Sequence, residues 1–448
     1  MTFIRKILFT IFPMLTLLSS CSDFLDIRPT GKVIAQTGEE YRELLTSVYY
    51  NFPDDRSLTT LRTDELQLDP ATTVAEDLNT YFDIWRWNDI TQDENTASFS
   101  WRRFYHSIYI ANYIIEHQHE ITQATPAEIS QLVGESYMMR SYCHLILVTL
   151  FGQDYTHCNP SASLSIPLCI KADVDAVLTR STVAKVYQQI LADIDSAATR
   201  MNVETWEPTL SYRFNALSAK ALRSRACLYM GKWAEAMNAA EEVIRKHPDL
   251  EDLTQSGYVL PDHYTSKEAI VSLEKVMKPA YKAIGTPNVE FINSYRNGDM
   301  RKSRFFKAKT SKIYEILKGG TDMNRSTFRS AEAYLTAAEC AIRLGEKERA
   351  ISYMEPLITH RYIKAMGEKV REEMSEMSDE ELLRFILEER HHEFAYEGHR
   401  WFDLRRTTQQ SITKTFNNET YTLQEDDARY TLPIPTEAIS SNPNLATE

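Results

Sequence analysis

The sequence predicts a mostly α-helical protein on a scaffold of tetratricopeptide-like helix pairs, with irregular loop-rich insertions and minor β-structure. Three observations predict it. Only 13 glycines occur among 448 residues, 43% of them apolar, so long stretches can stay helical and still fill a sizeable core. Residues 216–229 and 233–246 read as a helix pair joined at Gly231, with Ala236 and Ala240 where close packing needs small side chains and Pro248 as a stop. Residues 328–344 and 347–360 repeat the pattern about Gly345, with Ala350 five positions beyond the glycine as Ala236 is beyond Gly231. Such units stack into a curved solenoid.

Taken in order, the chain begins with a targeting segment, residues 1–20. Arg5 and Lys6 precede an apolar run that is too short to span a membrane, and Leu18-Ser19-Ser20-Cys21 has the small residues that a lipoprotein peptidase needs before a cysteine. The expectation is lipidation at Cys21, whose acyl chains would hold the mature protein to a membrane. Helices are expected over 40–50 and 101–119. Between them, residues 58–95 show no sustained period and set Tyr81, Phe82, Trp85 and Trp87 beside Asp83, Arg86, Asn88 and Asp89.

Sugar rings stack their C–H faces on indole and phenol rings, while carboxylates, amides and guanidinium groups bond their hydroxyls. Tyr81, Trp85, Trp87, Asp83 and Arg86 are therefore candidate ligand-binding residues. The alternative is a loop pinned to the core by its tryptophans. In an extended segment Trp85 and Trp87 share a face, so both rings are expected to serve the same role.

Helices over 129–151 and 184–201 follow, so that the helix pairs fall within 100–247 and 328–406. Residues 248–325 change character, with Pro261, Pro279, Pro287 and the aromatics Tyr258, Tyr264, Tyr281 and Tyr295 marking an irregular insertion. Loops on a rigid scaffold are where binding usually sits, which adds Tyr281 and Tyr295 to the candidates. Residues 407–448 form a tail with turn and extended chemistry around Pro433 and Pro443.

The densest stretch runs from residue 388 to 406. Ser378 and Glu381 form a capping box that opens a helix, and Gly398 is the first residue suited to ending it. Glu389, Arg390, Glu393, Glu397, Arg400, Asp403, Arg405 and Arg406 are interleaved there with Phe394, Tyr396, Trp401 and Phe402. Arginine forks bond carboxylates through parallel N–H groups, so a structural clasp is expected, with Glu393 or Glu397 facing Arg400 and Asp403 facing Arg390. Glu388-x-x-His391 and Glu116-x-x-His119 supply half of a di-iron pattern, but the other two glutamate-bearing helices cannot be identified, and no metal is expected. Arginine neighbours hold carboxylates ionised, against the raised pKa that a general acid needs. A rival enzymatic reading is a surface glycosidase using Asp83 or Asp89.

A net charge of −13 disfavours nucleic acid as a partner. Beyond Cys21, five cysteines remain, an odd number that excludes a complete disulfide framework. Cys143, Cys227 and Cys340 sit in apolar helical patterns as small buried hydrophobes, while Cys158 and Cys169 flank a loop and can pair after export.

Glu389-Arg390, Glu393, Glu397-Gly398, Arg400, Asp403-Leu404 and Arg406 resemble the C-terminal signature of the SusD/RagB family, surface lipoproteins that capture nutrients for an outer-membrane transporter. His391 and Phe394 stand where that family often has arginine and leucine. Asp23–Asp26, Gly134-Glu135 with Arg140 and Tyr142, and Asp299-x-Arg301 resemble further family features. The resemblance implies one SusD-like domain over 21–448, held at the outer membrane by its lipid and facing the cell exterior. It implies binding of an oligosaccharide or peptide, delivery to a SusC-like TonB-dependent transporter, and no cofactor or catalysis.

Overall fold

The computed structural model describes residues 35–69, 74–310 and 313–446. The leader, Cys21 and Asp23–Asp26 lie outside the described residues. No helix of the described residues is long and apolar enough to cross a membrane.

The first helix of the described residues, α1 (Gly38–Tyr50), opens on a capping box between Thr37 and Glu40 and is followed by the single turn α2 (Asp55–Leu58), strand β1 (Leu66–Leu68) and α3 (Ala75–Trp85). Helix α3 corrects the expectation of an aperiodic, extended segment over 58–95. Next come α4 (Trp101–Glu116), α5 (Pro126–Phe151), the strand pair β2 (Leu164–Pro167) and β3 (Arg180–Thr182), α6 (Val183–Ala198), α7 (Ala216–Tyr229) and α8 (Trp233–Lys246). Helix α5 starts a turn earlier than its apolar period predicts, because Thr125 and Glu128 cap it and Pro126 sits at its first position, where no amide is needed.

Between α8 and α12 (Ser330–Arg343) the insertion carries β4 (Ala269–Val271), α9 (Pro279–Ile284), β5 (Gly285–Pro287), α10 (Val289–Ser294), α11 (Met300–Phe305), β6 (Phe306–Ala308), β7 (Tyr314–Ile316) and β8 (Phe328–Arg329). The chain then continues through α13 (Lys347–Arg361), α14 (Lys364–Glu376), α15 (Asp379–Glu393) and α16 (Arg400–Arg406) to a hairpin, β9 (Ile412–Phe416) and β10 (Glu419–Leu423). Asn417 and Asn418 take positive φ at the tip of the hairpin, as a tight turn matching strand twist requires.

Neighbouring helices stack in chain order from α4 to α8, and α12 packs directly on α8 and α13. The repeat stack is thus continuous across the insertion. Gly231 and Gly345 both adopt positive φ at the two repeat turns, and Ala236, Ala240 and Ala350 are fully buried where neighbouring helices meet.

Two buried apolar clusters result among the described residues. One follows the helical stack from Tyr41 to Leu445; the other joins Leu61, Leu66, Ile84 and Trp85 to Tyr281, Phe291 and Phe305 of the insertion and to Tyr396. Antiparallel pairing of β1 with β5, Leu66 opposite Pro287, ties the N-terminal segment to the insertion.

Buried ion pairs lock the insertion to the helices. Arg329 bonds Glu268 at 2.8 Å, Glu393 at 2.7 Å and Glu397 at 2.9 Å. Arg361 bonds Glu268 at 2.7 Å and Glu393 at 2.8 Å, Lys318 pairs with Glu397, and Arg301 bonds Asp299 at 2.7 Å and Glu389 at 2.6 Å. Burial works against ionisation of Glu393, yet Arg361, Arg329 and Arg301 hold its carboxyl well below the usual range.

The clasp is therefore present, with one expected half and one different half. Arg390 pairs with Asp403 at 2.9 Å as expected, but Arg400 pairs with Asp64 at 2.5 Å and not with Glu393 or Glu397. The reason is the turn: α15 ends at Glu393, before Gly398, and positive φ at Tyr396 and Gly398 swings Arg400 toward the Arg62–Glu65 segment. Cys158 and Cys169 are both free thiols, so the open possibility of their pairing is not realised.

Candidate functional site

The sequence candidates divide sharply by burial. Trp85 and Trp87 are 0% and 1% exposed, which corrects the expectation of an open stacking platform. Their indole N–H groups donate to the carbonyls of Leu66 at 3.1 Å and Arg62 at 2.9 Å, and both rings face the buried Lys414 Nζ from β9. They serve one role, as expected, but through a helix end and a left-handed Trp87 rather than through strand alternation. That role is pinning.

Asp83 accepts from Arg86 at 2.6 Å, Asn88 at 2.9 Å, the Asp93 amide at 2.7 Å and Thr96 at 3.0 Å. Burial tends to raise its pKa, but these donors outweigh it and hold the carboxyl below its usual value. Asp89 is held by Arg62 through two bonds of 2.6 and 2.9 Å. Held ionised in this way, Asp83 is not set up to supply the proton of a glycosidase acid. Arg86 lies over the Phe82 and Tyr421 rings while bonding Asp83, and Tyr295 is buried with its ring on His392 and its hydroxyl donating to the His392 carbonyl. All four are structural here.

Tyr81 and Tyr281 are the candidates that the fold brings together. Their rings meet edge to face at 5.0 Å, and both line a polar hollow of about 370 Å³ where α2, α3 and the start of α4 face α9. Tyr81 is half-buried and presents part of its ring, while Tyr281 supports it from the core. Apolar side chains including Phe52, Leu58 and Trp101 complete the wall, and its polar groups include Asp54, Asp55, Ser98, Arg102, Arg103, Lys278 and Glu437.

This hollow has sugar-compatible chemistry. Arg102 and Arg103 are exposed on the first turn of α4, and no carboxylate of the described residues lies within ion-pair reach of either. Asp54 accepts from the Lys275 amide at 3.0 Å and sits 3.6 Å from the Lys278 ammonium. Asp55 is nearly buried, and burial pushes its carboxyl up to about 6 against the Ser100 amide that it accepts at 2.5 Å. Cations, carboxyl groups and a tyrosine edge thus converge on one concavity.

Sequence reasoning missed Asp54, Asp55, Arg102, Arg103 and Lys278. The available signal was the Arg102-Arg103 pair on a predicted helix with no acidic residue one turn away. Among the described residues, one cluster of metal-ligating type occurs, Asp299, Glu389 and His392. The Arg301 guanidinium already bonds both carboxylates, so the cation position there is taken.

A family model described as the SusD family matches residues 269–447, and one described as "Starch-binding associating with outer membrane" matches residues 23–228. The chain is a SusD-like protein. This SusD-like protein is 22% identical over 484 residues to SusD-like protein P38 of Formosa agariphila, with 90% of this chain and 91% of that one covered. A SusD superfamily protein from Bacteroides fragilis superposes with a TM-score of 0.76 at 22% identity, covering 92% of this chain and 100% of its own. A SusD-like carbohydrate binding protein from Bacteroides vulgatus gives a TM-score of 0.68 at 17% identity, over 92% and 98% of the two chains. The mostly helical repeat scaffold expected from the sequence is the fold of these proteins.

Proposed function

We propose that this SusD-like protein is a lipoprotein of the outer membrane, anchored through Cys21 and facing the cell exterior. It binds an oligosaccharide in the hollow beside Tyr81 and passes it to a SusC-like TonB-dependent transporter, with no catalytic step of its own. The observation that carries the reading is the convergence of Tyr81, Arg102, Arg103, Lys278 and Asp54 on one concavity at the junction of helices and insertion. The starch-binding description of the matched N-terminal model and the carbohydrate binding Bacteroides vulgatus neighbour support it.

In this reading the Tyr81 ring covers a sugar face, the arginines and Lys278 donate to ring and hydroxyl oxygens, and Asp54 accepts from hydroxyls. Binding is weak, because the site is shallow and must release its cargo onward. Incubation of the chain from Ser22 onward with a glycan and peptide panel tests this. Retention of a glycan without new reducing ends is the expected result. New reducing ends would make the protein a hydrolase, and retention of peptides alone would reassign the cargo.

A further inference from the structure

A second hollow lies on the same face, where the end of α1 and the loop before α7 meet the insertion. Tyr50, Tyr212 and Tyr264 line it, with Thr46, Thr209 and Ser272 between them. Tyr50 is 89% exposed, an unusual position for a large ring with no core to enter, and Tyr212 and Tyr264 are each half-buried with part of the ring accessible. Beneath them Ser272 is 1% exposed, and its Oγ has no hydrogen-bond partner. A buried hydroxyl in the wall of a hollow that no protein group engages is free to bond an oxygen entering that hollow.

Main-chain recognition is closed off at this point. Strand β4 is paired with β8 on one side; on the other the Ser272 amide donates to the Ser211 carbonyl at 2.8 Å and the Ile270 carbonyl accepts from Asn215 at 3.1 Å. An extended peptide therefore finds no free strand edge. Tyrosine faces with hydroxyl-bearing side chains remain, and these suit a polyhydroxylated ring. A shallow groove floored by Lys275 and Val276 continues this hollow, sharing Asp322 with it and sharing Asp54 and Lys278 with the Tyr81 hollow.

We propose that the Tyr50–Tyr212–Tyr264 hollow is a second pyranose-binding subsite, joined by that groove to the first, so that a chain of several sugar units lies along this face. The assignment rests on the carbohydrate reading above. Saturation-transfer NMR on the chain from Ser22 onward tests it, with the methyl α- and β-pyranosides of glucose, galactose, mannose and xylose as probes. Transfer to at least one glycoside is expected to survive Tyr81→Ala with Arg102→Ala and to vanish when Tyr50→Ala and Tyr264→Ala are added. Ser272→Ala is expected to weaken transfer in the Tyr81→Ala, Arg102→Ala background while thermal unfolding stays level or rises, since it deletes an unpaired hydroxyl rather than a packing contact. Transfer abolished by the Tyr81 and Arg102 substitutions alone overturns the second subsite and leaves the first. Transfer insensitive to those substitutions but lost with Tyr50 and Tyr264 keeps the second and removes the first. Transfer to no glycoside, or loss confined to a Gly-Tyr-Gly tripeptide probe, overturns the subsite outright.

Discussion

At the scale of single residues, burial decides which aromatic and acidic side chains hold the fold and which can meet a ligand. Trp87 is 1% exposed, bonds the Arg62 carbonyl and covers the Lys414 Nζ at 4.2 Å, so Trp87→Ala should cost about 3–5 kcal/mol in urea unfolding. Unchanged stability with lost glycan binding would return Trp87 to the site. Asp55 gives a pH signature. Its folded pKa of about 6 lies above the unfolded value, so its contribution favours the fold at acid pH and is lost as pH rises from about 4 through about 6, by about 3 kcal/mol. Asp55→Asn keeps an oxygen for the Ser100 amide, and unfolding curves of the variant should gain stability relative to the parent across that window. Arg400 is partly exposed on Asp64, so Arg400→Ala should cost only about 2 kcal/mol. What hid these roles in the sequence is that a tryptophan beside charged residues looks alike as a platform and as a pin. The deciding partner of Trp85 and Trp87 is Lys414, more than three hundred residues away in sequence.

At the scale of elements, helices with strong punctuation were legible. Ala216–Tyr229 and Trp233–Lys246 stand where Gly231 and the buried alanines put them, and Ser378 caps α15 as its hydroxyl and Glu381 require. Helix α3 was hidden because its apolar residues serve the second cluster, and α15 ended at Glu393 rather than at Gly398. Gly398 has another task. Its φ is +69°, and a Cβ there would collide with the Arg56 carbonyl of α2. Gly398→Ala should therefore cost about 2–4 kcal/mol through strain and displacement of α2, read as a lowered thermal midpoint. An unchanged midpoint would mean that α2 and α16 are not in close contact in solution.

At the scale of the whole molecule, the repeat stack supplies a rigid frame, and the insertion and the N-terminal segment close against it through a shared cluster and buried ion pairs. The glutamates of the C-terminal stretch were readable as a clasp, whereas their partners Arg301, Arg329, Arg361 and Lys318 were not, since no local pattern links positions so far apart. Arg329→Met would leave Glu268, Glu393 and Glu397 facing a gap in the buried network, and should cost about 3–5 kcal/mol in chemical denaturation. The ligand hollows were the least legible feature, because they are assembled from the ends of elements distant in sequence. The central claim is that the hollow beside Tyr81 holds the cargo. Calorimetric titration of the chain from Ser22 onward with the glycan that the panel retains, repeated with Arg102→Ala, tests it most directly. The account predicts micromolar to millimolar binding that Arg102→Ala weakens by about tenfold with no change in melting; equal affinity in the two proteins would contradict it.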